Sequence, residues 1–343
     1  MPETIHTDLV IVGAGPAGMT AALYGARALL RTVVLERGEC GGELLNTDKI
    51  ENFISYPSVL GRDLAVRFKE HAIAAGAEVR EFTPVESVRR RDDGMFETTL
   101  ESGAEVYVSP AVIVTAGGTP VKLGIPGELE YAGRGVSYCA VCDANFFKGV
   151  HILVVGGGDA AVEEAGYLSA YGSHVTLIHR RDELRASKVL QKRLFENPKI
   201  SVVWNAVAEE VLGNADGDMI GLRVRDVVSG EQRTIDGEGL FVFIGFRPNT
   251  GVIDGHVDHD EQGYILTDTS MMSSMPGLFV AGDMRAQLTR QITTAAGDGT
   301  TAAIAAEKYI KAIEDAKAHG ASTDSATSEA VELAQAQAGG YAR

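Results

Sequence analysis

The stretch Asp8–Gly18 reads DLVIVGAGPAG and decides the fold. Its first five residues, Asp8 followed by four apolar residues, form a short run typical of a strand that is buried on both faces of a parallel sheet. Three glycines follow at the spacing G-x-G-x-x-G, and an Ala- and Leu-rich segment after them predicts a helix. Glycines at this spacing allow a tight turn, a close approach of the backbone to a pyrophosphate, and close packing of the helix. The stretch therefore predicts a strand, a dinucleotide-binding loop and a helix.

The next strand indicates how this first nucleotide is held. The apolar run Thr32–Leu35 ends at Glu36, where a carboxylate is placed to accept hydrogen bonds from ribose hydroxyl groups. The N-terminus of the preceding helix adds partial positive charge that attracts phosphate. The residues assigned to this site are Gly13, Gly15, Pro16, Ala17, Gly18 and Glu36.

The same pattern recurs later in the chain, with a different ending. Val150–Val155 predicts a strand, GGGDAA at 156–161 a second loop, and His174–Ile178 another strand. That strand ends in basic residues, and guanidinium groups pair bidentately with phosphate. This ending favours the 2′-phosphate of NADP(H) over NAD(H). The residues assigned to the second site are Gly156, Gly158, Asp159, Ala160, Ala161, His179, Arg180, Arg181 and Arg185.

The composition excludes several classes of protein. The chain has 343 residues, 40 of them glycine, without the three-residue glycine period of collagen. Its formal net charge of −16 argues against nucleic acid or an anionic membrane as a partner. The sequence has no apolar run of membrane-spanning length and no basic, signal-like start. Its three cysteines are too few for a secreted disulfide framework, so we expect a cytoplasmic protein.

Two of those cysteines form the motif Cys139-Ala-Val-Cys142, followed by Asp143. Cysteines at this spacing can close a small disulfide ring, and the spacing commonly lowers the pKa of one thiol. A zinc site would need a second cysteine pair, and the histidines show no ligand spacing, so we assign no metal. Asp143 is placed to give or take the proton when a thiolate forms or leaves. The predicted catalytic residues are therefore Cys139, Cys142 and Asp143, whereas Cys40 is interpreted as a structural thiol.

Two weaker groups of residues are expected to complete the first nucleotide site. One lies in the loop after Glu36, and the other follows the buried strand that begins at Leu278. A carboxylate at the end of such a strand can reach the ribityl or pyrophosphate region of a cofactor. The residues assigned here are Gly41, Gly42, Asn52, Gly282, Asp283, Arg290 and Gln291.

Taken in order, these motifs resemble the low-molecular-weight thioredoxin reductases of bacteria, archaea and plants. The resemblance covers roughly residues 5–312 and includes both glycine loops, the C-x-x-C-D motif and the basic strand end. Further matching stretches are Ile50-Glu-Asn-Phe53, Gly133-Arg-Gly-Val136, Val162-Glu-Glu-Ala165 and Phe279-Val-Ala-Gly-Asp283.

The resemblance implies an α/β fold with two Rossmann-like dinucleotide-binding domains of three-layer ββα type, the second inserted in the first. We expect an FAD-binding domain at residues 1–117 and 247–315, an NADPH-binding domain carrying the C-x-x-C at 118–246, and a mobile tail at 316–343. The family is homodimeric, and its domains rotate during turnover, which implies hinges near Gly117-Gly118 and Gly245-Phe246. In this resemblance Cys142 faces the flavin, Cys139 attacks thioredoxin, and Asp143 is the acid–base group.

Two other enzyme types and one binding protein are alternatives. The first is a related enzyme that takes electrons from another donor such as ferredoxin, and the second is a flavin-dependent dithiol oxidase. The third is a nucleotide-sensing or electron-shuttling binding protein whose cysteines are only regulatory. The intact basic strand end at 179–185 argues against the oxidase, because an oxidase has no need of NADPH. Asp143 beside Cys142 argues against a merely regulatory pair.

Overall fold

The structure is a computed structural model that describes residues 2–47 and 49–319. The chain divides into two compact units. Unit 1 comprises Met1–Thr119 and the chain from Arg247 onward, and unit 2 is the continuous segment Pro120–Phe246 between them.

Unit 1 is built on a five-stranded parallel sheet in the order β22-β10-β2-β3-β6. Every residue of β2, β10 and β22 is buried because both faces of the sheet are covered. The strands of this sheet are β2 (Leu9–Val12), β3 (Thr32–Leu35), β6 (Glu78–Arg80), β10 (Ala111–Val114) and β22 (Leu278–Val280).

A second sheet and three helices cover the two faces. Alternate residues of β2 point to opposite sides, so that Leu9 and Ile11 meet the helices while Val10 and Val12 meet the second sheet. The helices are α1 (Pro16–Arg27), α2 (Gly61–Ala74) and α6 (Ile292–Ala318). The second sheet, in the order β1-β9-β8-β7-β21, consists of β1 (Glu3–His6), β7 (Val85–Arg90), β8 (Phe96–Leu100), β9 (Glu105–Ser109) and β21 (Ile253–Asp254). A short hairpin pairs β4 (Lys49–Ile50) with β5 (Val59–Leu60).

Unit 2 repeats this three-layer arrangement. Its parallel sheet, in the order β12-β19-β13-β14-β15, packs helices on one face and an antiparallel sheet β16-β17-β18 on the other. The parallel strands are β12 (Val136–Ser137), β13 (His151–Gly156), β14 (His174–Ile178), β15 (Ile200–Val203) and β19 (Gly239–Phe243). The antiparallel strands are β16 (Ala206–Gly213), β17 (Met219–Asp226) and β18 (Gln232–Asp236), and the helices are α3 (Ala140–Asp143), α4 (Asp159–Leu168) and α5 (Lys188–Glu196). The prediction of an α/β fold with two Rossmann-like domains, the second inserted in the first, is confirmed.

The chain crosses between the units in two short strands, β11 (Gly118–Pro120) and β20 (Phe246–Pro248). The first border falls after Thr119, slightly later than the predicted border after Gly117, and the second falls after Phe246.

The predicted tail at 316–343 is wrong in its first residues, because α6 continues to Ala318. Alanine has the highest helix propensity, and Ala316 is buried, so the helix continues past the point where large apolar residues become rare. Residues 320–343, including Tyr341, lie outside the described part of the chain. Among residues 2–47 and 49–319, no helix combines the length and the apolar character needed to cross a bilayer.

Candidate active site

The first glycine loop connects β2 to α1. Gly15 is the N-cap residue of α1, and Pro16 occupies the first turn, where a missing N–H costs nothing. Gly18 packs so closely that an added Cβ would lie 1.9 Å from the Gly13 carbonyl oxygen. Thr115, at the end of β10, donates its hydroxyl hydrogen to the carbonyl oxygens of Val12 and Gly13, at 3.0 and 2.9 Å. The loop is therefore held from inside by a threonine that the motif does not include.

Glu36 stands at the end of β3, as the sequence predicts. Its Oε2 accepts a hydrogen bond from the Ala14 amide at 2.7 Å, and its Oε1 accepts one from the Gly38 amide at 2.9 Å. Because a carboxylate offers about four acceptor positions, these bonds leave capacity for ribose hydroxyl groups. Glu36 therefore stabilises the first loop as well as being placed to bind a ligand there.

Several predicted residues of the first site come together in unit 1. The Gly41 amide donates to the Ala14 carbonyl at 2.9 Å, which brings the loop after Glu36 against the first glycine loop. The Asn52 amide nitrogen donates to Oε1 of Gln291 at 3.0 Å, although 239 positions separate the two residues. Arg290 stacks on the ring of Tyr264, 3.9 Å from its centroid.

Asp283 is the most unusual carboxylate in this site. Its Oδ1 atom is buried and has no hydrogen-bond partner among the described residues, and burial raises its pKa. The nearby Asp298 carboxylate also raises the pKa, whereas Arg290 lowers it. Asp298, which the sequence motifs missed, accepts a hydrogen bond from the Gly282 amide at 3.2 Å. An unsatisfied buried acceptor just beyond the end of β22 fits a group whose hydroxyl hydrogens bind there.

The second glycine loop connects β13 to α4 in unit 2. Gly158 is the N-cap residue of α4, and the space where its side chain would lie is open, which allows a ligand to approach the backbone. Ala161 packs against Gly156, leaving no room there for a side chain. Asp159 accepts a hydrogen bond from the Ser187 amide at 2.5 Å, which ties the loop to the start of α5.

His179 lies beneath this loop, with 5% of its surface exposed. Its Nδ1 contacts the Gly156 carbonyl oxygen at 2.7 Å, and its Nε2 contacts the Glu183 carbonyl oxygen at 2.9 Å. A Cβ on Gly157 would lie 2.2 Å from the imidazole ring, so Gly157, which was not among the assigned residues, is required by His179. The structure gives His179 a supporting position rather than the ligand contact that its place in the basic motif predicts.

The three predicted arginines are exposed around this loop. Arg180, Arg181 and Arg185 make no ion pair with any carboxylate in the part of the chain that the structure describes. The Arg185 amide donates to the Gly157 carbonyl at 2.8 Å, which fixes this residue beside the loop. Three unpaired guanidinium groups next to a helix N-terminus form a site suited to a multiply charged anion.

The two cysteines of the C-x-x-C motif form a disulfide, with their Cα atoms 5.4 Å apart. Cys139 is the N-cap residue of the one-turn helix α3, and its Sγ accepts a hydrogen bond from the Cys142 amide at 3.2 Å. Cys142 is exposed and Cys139 is partly exposed, so the bond can be reached from solution. The arrangement fits a redox-active disulfide rather than a structural one.

Asp143 follows the disulfide and is paired with a residue that the motif does not include. The Ser137 hydroxyl group donates to Oδ2 of Asp143 at 2.6 Å and accepts from the Cys139 amide at 3.1 Å. Ser137 is 4% exposed and ends β12. A single serine beside a C-x-x-C motif gives no sequence signal of this kind, because its role depends on where the strand ends.

The third cysteine, Cys40, has a buried thiol that resists ionisation. Cys40 is buried in unit 1, and burial together with the Glu81 carboxylate raises the pKa of its thiol to about 12. Glu81 accepts from the Cys40 amide at 2.8 Å and pairs with Lys69. No group of three or more histidine, cysteine or acidic side chains in the described ranges is arranged to hold a metal ion.

Known proteins share this chain's sequence and architecture. The model of the pyridine nucleotide-disulphide oxidoreductase family matches residues 7–299. A thioredoxin reductase of Listeria monocytogenes is 44% identical over 309 residues, which are 90% of this chain and 95% of that protein. A thioredoxin reductase of Bacillus subtilis is 42% identical over 315 residues, covering 92% of this chain and 98% of that protein.

A crystal structure of Lactococcus lactis thioredoxin reductase matches with a TM-score of 0.86 and 41% identity, covering 89% of this chain and 99% of that chain. The thioredoxin reductase of T. acidophilum matches with a TM-score of 0.84 and 33% identity, covering 88% and 98%. The resemblance seen in the motifs is confirmed over almost the whole described chain. The chain thus belongs to the low-molecular-weight thioredoxin reductases, within the pyridine nucleotide-disulphide oxidoreductase family.

Proposed function

We propose that this protein is an NADPH-dependent flavoprotein that reduces thioredoxin through FAD and the Cys139–Cys142 disulfide. The observation that carries the proposal is the accessible disulfide beside Asp143, in the same unit as a glycine loop surrounded by unpaired arginines. Family membership implies a flavin and a pyridine nucleotide; the choice of FAD, NADPH and thioredoxin is the proposal.

The residues of unit 1 fit FAD. The backbone at the start of α1 and the Gly41-Gly42 turn would hold the pyrophosphate, and Glu36 would accept from ribose hydroxyl groups. The unsatisfied Oδ1 of Asp283 would accept a hydroxyl hydrogen of the ribityl chain. When bound, FAD would supply the two-electron chemistry that links a reduced nicotinamide to a disulfide.

The residues of unit 2 fit NADPH. The open backbone at Gly158 would receive the pyrophosphate, and the exposed arginines would hold the 2′-phosphate. His179 would act indirectly, by supporting the loop. An enzyme that takes its electrons from ferredoxin would have no use for three unpaired guanidinium groups at this strand end, and neither would a dithiol oxidase.

Once the disulfide is open, the cysteines would act by thiol–disulfide exchange. The Cys139 thiolate attacks one sulfur of the thioredoxin disulfide, forming a mixed disulfide and releasing one thioredoxin thiolate. Cys142 then attacks Cys139, which restores the internal disulfide and releases the second thiolate. Asp143 supplies a proton to a thiolate that leaves, or accepts one from a thiol that becomes the attacking thiolate.

An anaerobic titration tests this function. The purified protein should be yellow and should bleach on addition of NADPH, and subsequent addition of oxidised thioredoxin should restore the colour. Equal bleaching by NADH would overturn the NADPH assignment, and an unchanged spectrum after thioredoxin would overturn the partner.

Two further features stay predictions from the resemblance and from cysteine usage: a homodimer and a cytoplasmic location. Light scattering on the purified holoenzyme should give twice the mass of one chain. A monomeric mass at working concentration would contradict the predicted assembly.

A further inference from the structure

Ser137 connects the predicted acid–base residue to the disulfide motif. Its hydroxyl oxygen lies 2.6 Å from Oδ2 of Asp143, 3.1 Å from the Cys139 amide nitrogen and 3.2 Å from the Cys139 carbonyl oxygen. The residue is 4% exposed, so these groups, and not bulk water, are its immediate hydrogen-bonding neighbours. None of the sequence motifs includes this residue.

The hydroxyl group has one hydrogen and two acceptors within reach. When Asp143 is ionised, the hydrogen points to the carboxylate, which is the shorter and charge-assisted bond. When Asp143 carries a proton on Oδ2, the carboxyl group becomes the donor to Ser137 Oγ. The serine hydrogen can then turn to the Cys139 carbonyl oxygen. Ser137 is therefore satisfied in both charge states of Asp143.

We propose that Ser137 is a positioning residue that holds Asp143 against the C-x-x-C segment and turns its hydroxyl hydrogen as Asp143 gives up or takes its proton. The inference rests on the proposed function, because it assumes that Asp143 is the acid–base group. In the direction that protonates a thiolate, the Asp143 carboxyl hydrogen turns from Ser137 Oγ to the sulfur, the Asp143 O–H bond breaks and an S–H bond forms. The hydroxyl hydrogen of Ser137 then turns back from the Cys139 carbonyl oxygen to Asp143 Oδ2. Ser137 itself neither gains nor loses a proton.

The same contacts fix the position of the donor. The Cys139 amide donates a hydrogen bond to Ser137 Oγ, and the Ser137 hydroxyl group donates one to Asp143. Together these two hydrogen bonds connect the first cysteine to the carboxylate. The backbone of Ser137 pairs with Phe241 in the parallel sheet, which anchors this chain to the core of unit 2. A carboxylate without that anchor has more rotamers and spends less time aligned for proton transfer.

A set of variants tests the role of Ser137 by steady-state reduction of thioredoxin with the holoenzyme. Ser137→Ala should lower kcat about tenfold with little change in the KM for thioredoxin, because positioning and not docking is lost. Ser137→Thr, which keeps the hydroxyl group, should recover most of the rate. The matched control is Ser169→Ala in the same unit, since Ser169 is also buried and donates to the Gly166 carbonyl at 2.7 Å; it should keep the wild-type kcat.

A double-mutant cycle separates positioning from general destabilisation. Asp143→Asn should lower kcat by about a hundredfold, a typical value for loss of an acid–base group. Adding Ser137→Ala to Asp143→Asn should then cause little further loss, because the two residues act as one unit. Multiplicative losses, or a wild-type kcat in Ser137→Ala, would overturn the inference while leaving the proposed function intact. Failure of the wild-type enzyme to reduce thioredoxin would overturn the proposed function instead.

Discussion

Each of the two glycine loops connects a strand to the N-terminus of a helix, but the strand that follows each helix ends differently. In unit 1 the strand ends at Glu36, whose two oxygens accept hydrogen bonds from the Ala14 and Gly38 amides. In unit 2 the strand ends at His179, which turns inward beneath the loop, while the next two residues are exposed arginines. The strand end in unit 1 therefore carries a carboxylate that already accepts two backbone hydrogen bonds. The strand end in unit 2 instead presents guanidinium groups that form no ion pair among the described residues.

In the proposed function, the glycine pattern selects the general class of ligand, whereas the strand end selects its charge. A carboxylate repels a 2′-phosphate and accepts from hydroxyl groups, and a guanidinium group does the reverse. Unit 2 also carries the C-x-x-C disulfide, so the two units differ in their redox groups as well as in the charge of the strand end.

The largest expected effect separates the chemistry of the two units. Cys142→Ser should lower the rate of thioredoxin reduction about a thousandfold or more, because no internal disulfide can form. Reduction of the flavin by NADPH should remain, which anaerobic absorbance spectra would show. Cys40→Ser, a change to the buried thiol of unit 1, is the control and should keep its turnover. Residual turnover in Cys142→Ser above one per cent of wild type would remove the dithiol from the mechanism.

The next prediction tests the cationic strand end. Replacing both Arg180 and Arg181 by Ala should raise the KM for NADPH by about a hundredfold or more, since two charge-assisted bonds of about 1.5 kcal/mol or more each are lost. The KM for NADH should change much less, because NADH lacks the 2′-phosphate. Arg233→Ala, an exposed arginine on β18, should leave both values unchanged. Parallel losses with NADPH and NADH would show that the arginines do not bind the 2′-phosphate.

A smaller effect is expected at Asp283, where binding and stability should change in opposite directions. Its folded pKa is raised by burial, so the unfolded chain releases this proton at lower pH than the folded chain. Above its ordinary pKa, ionisation therefore lowers the free energy of unfolding. Asp283→Asn should raise the melting temperature of the FAD-free protein and weaken FAD binding about tenfold. Thermal denaturation and FAD titration measure both, and a lower melting temperature in the variant would contradict the prediction.

The smallest effect concerns Cys40. Its thiol ionises near 9.0 in an unfolded chain and at about 12 in the folded protein, so the unfolded chain loses the proton first. The free energy of unfolding should fall by about 1.4 kcal/mol between roughly pH 8 and 10 on account of this group. Cys40→Ala should show a correspondingly weaker dependence in urea denaturation. Rapid alkylation of Cys40 in the native protein below pH 9 would contradict its burial.

The sequence was sufficient to predict both loops, because strand, glycine spacing, helix and second strand are all local features. The residue at each strand end could be named as well. Its orientation could not, and His179 illustrates why: whether a side chain turns toward a ligand or under the loop depends on its neighbours. Here the absence of a side chain at Gly157 leaves the space that the inward-turned imidazole occupies.

The supporting residues were beyond prediction for a related reason. Thr115 reaches the first loop from a strand about a hundred positions away, and Asp298 reaches Gly282 from within α6. Neither belongs to a spacing pattern, because long-range proximity is created by the sheet order and not by the local sequence. The predicted tail at 316–343 overlaps the end of α6 for a different reason: large apolar residues become rare there, but alanine continues the helix to Ala318.

The disulfide closes a ring across only three peptide units, at the first turn of α3. The entropy that a cross-link removes from an unfolded chain grows with the length of the loop it closes, and for so short a loop it amounts to about 2 kcal/mol, against nearly 5 for a hundred-residue loop. Opening the bond in each catalytic cycle therefore lowers the free energy of unfolding of unit 2 by about 2 kcal/mol. Opening a cross-link that closes a hundred-residue loop would lower it by more than twice as much, so the short ring limits the difference in stability between the oxidised and reduced forms.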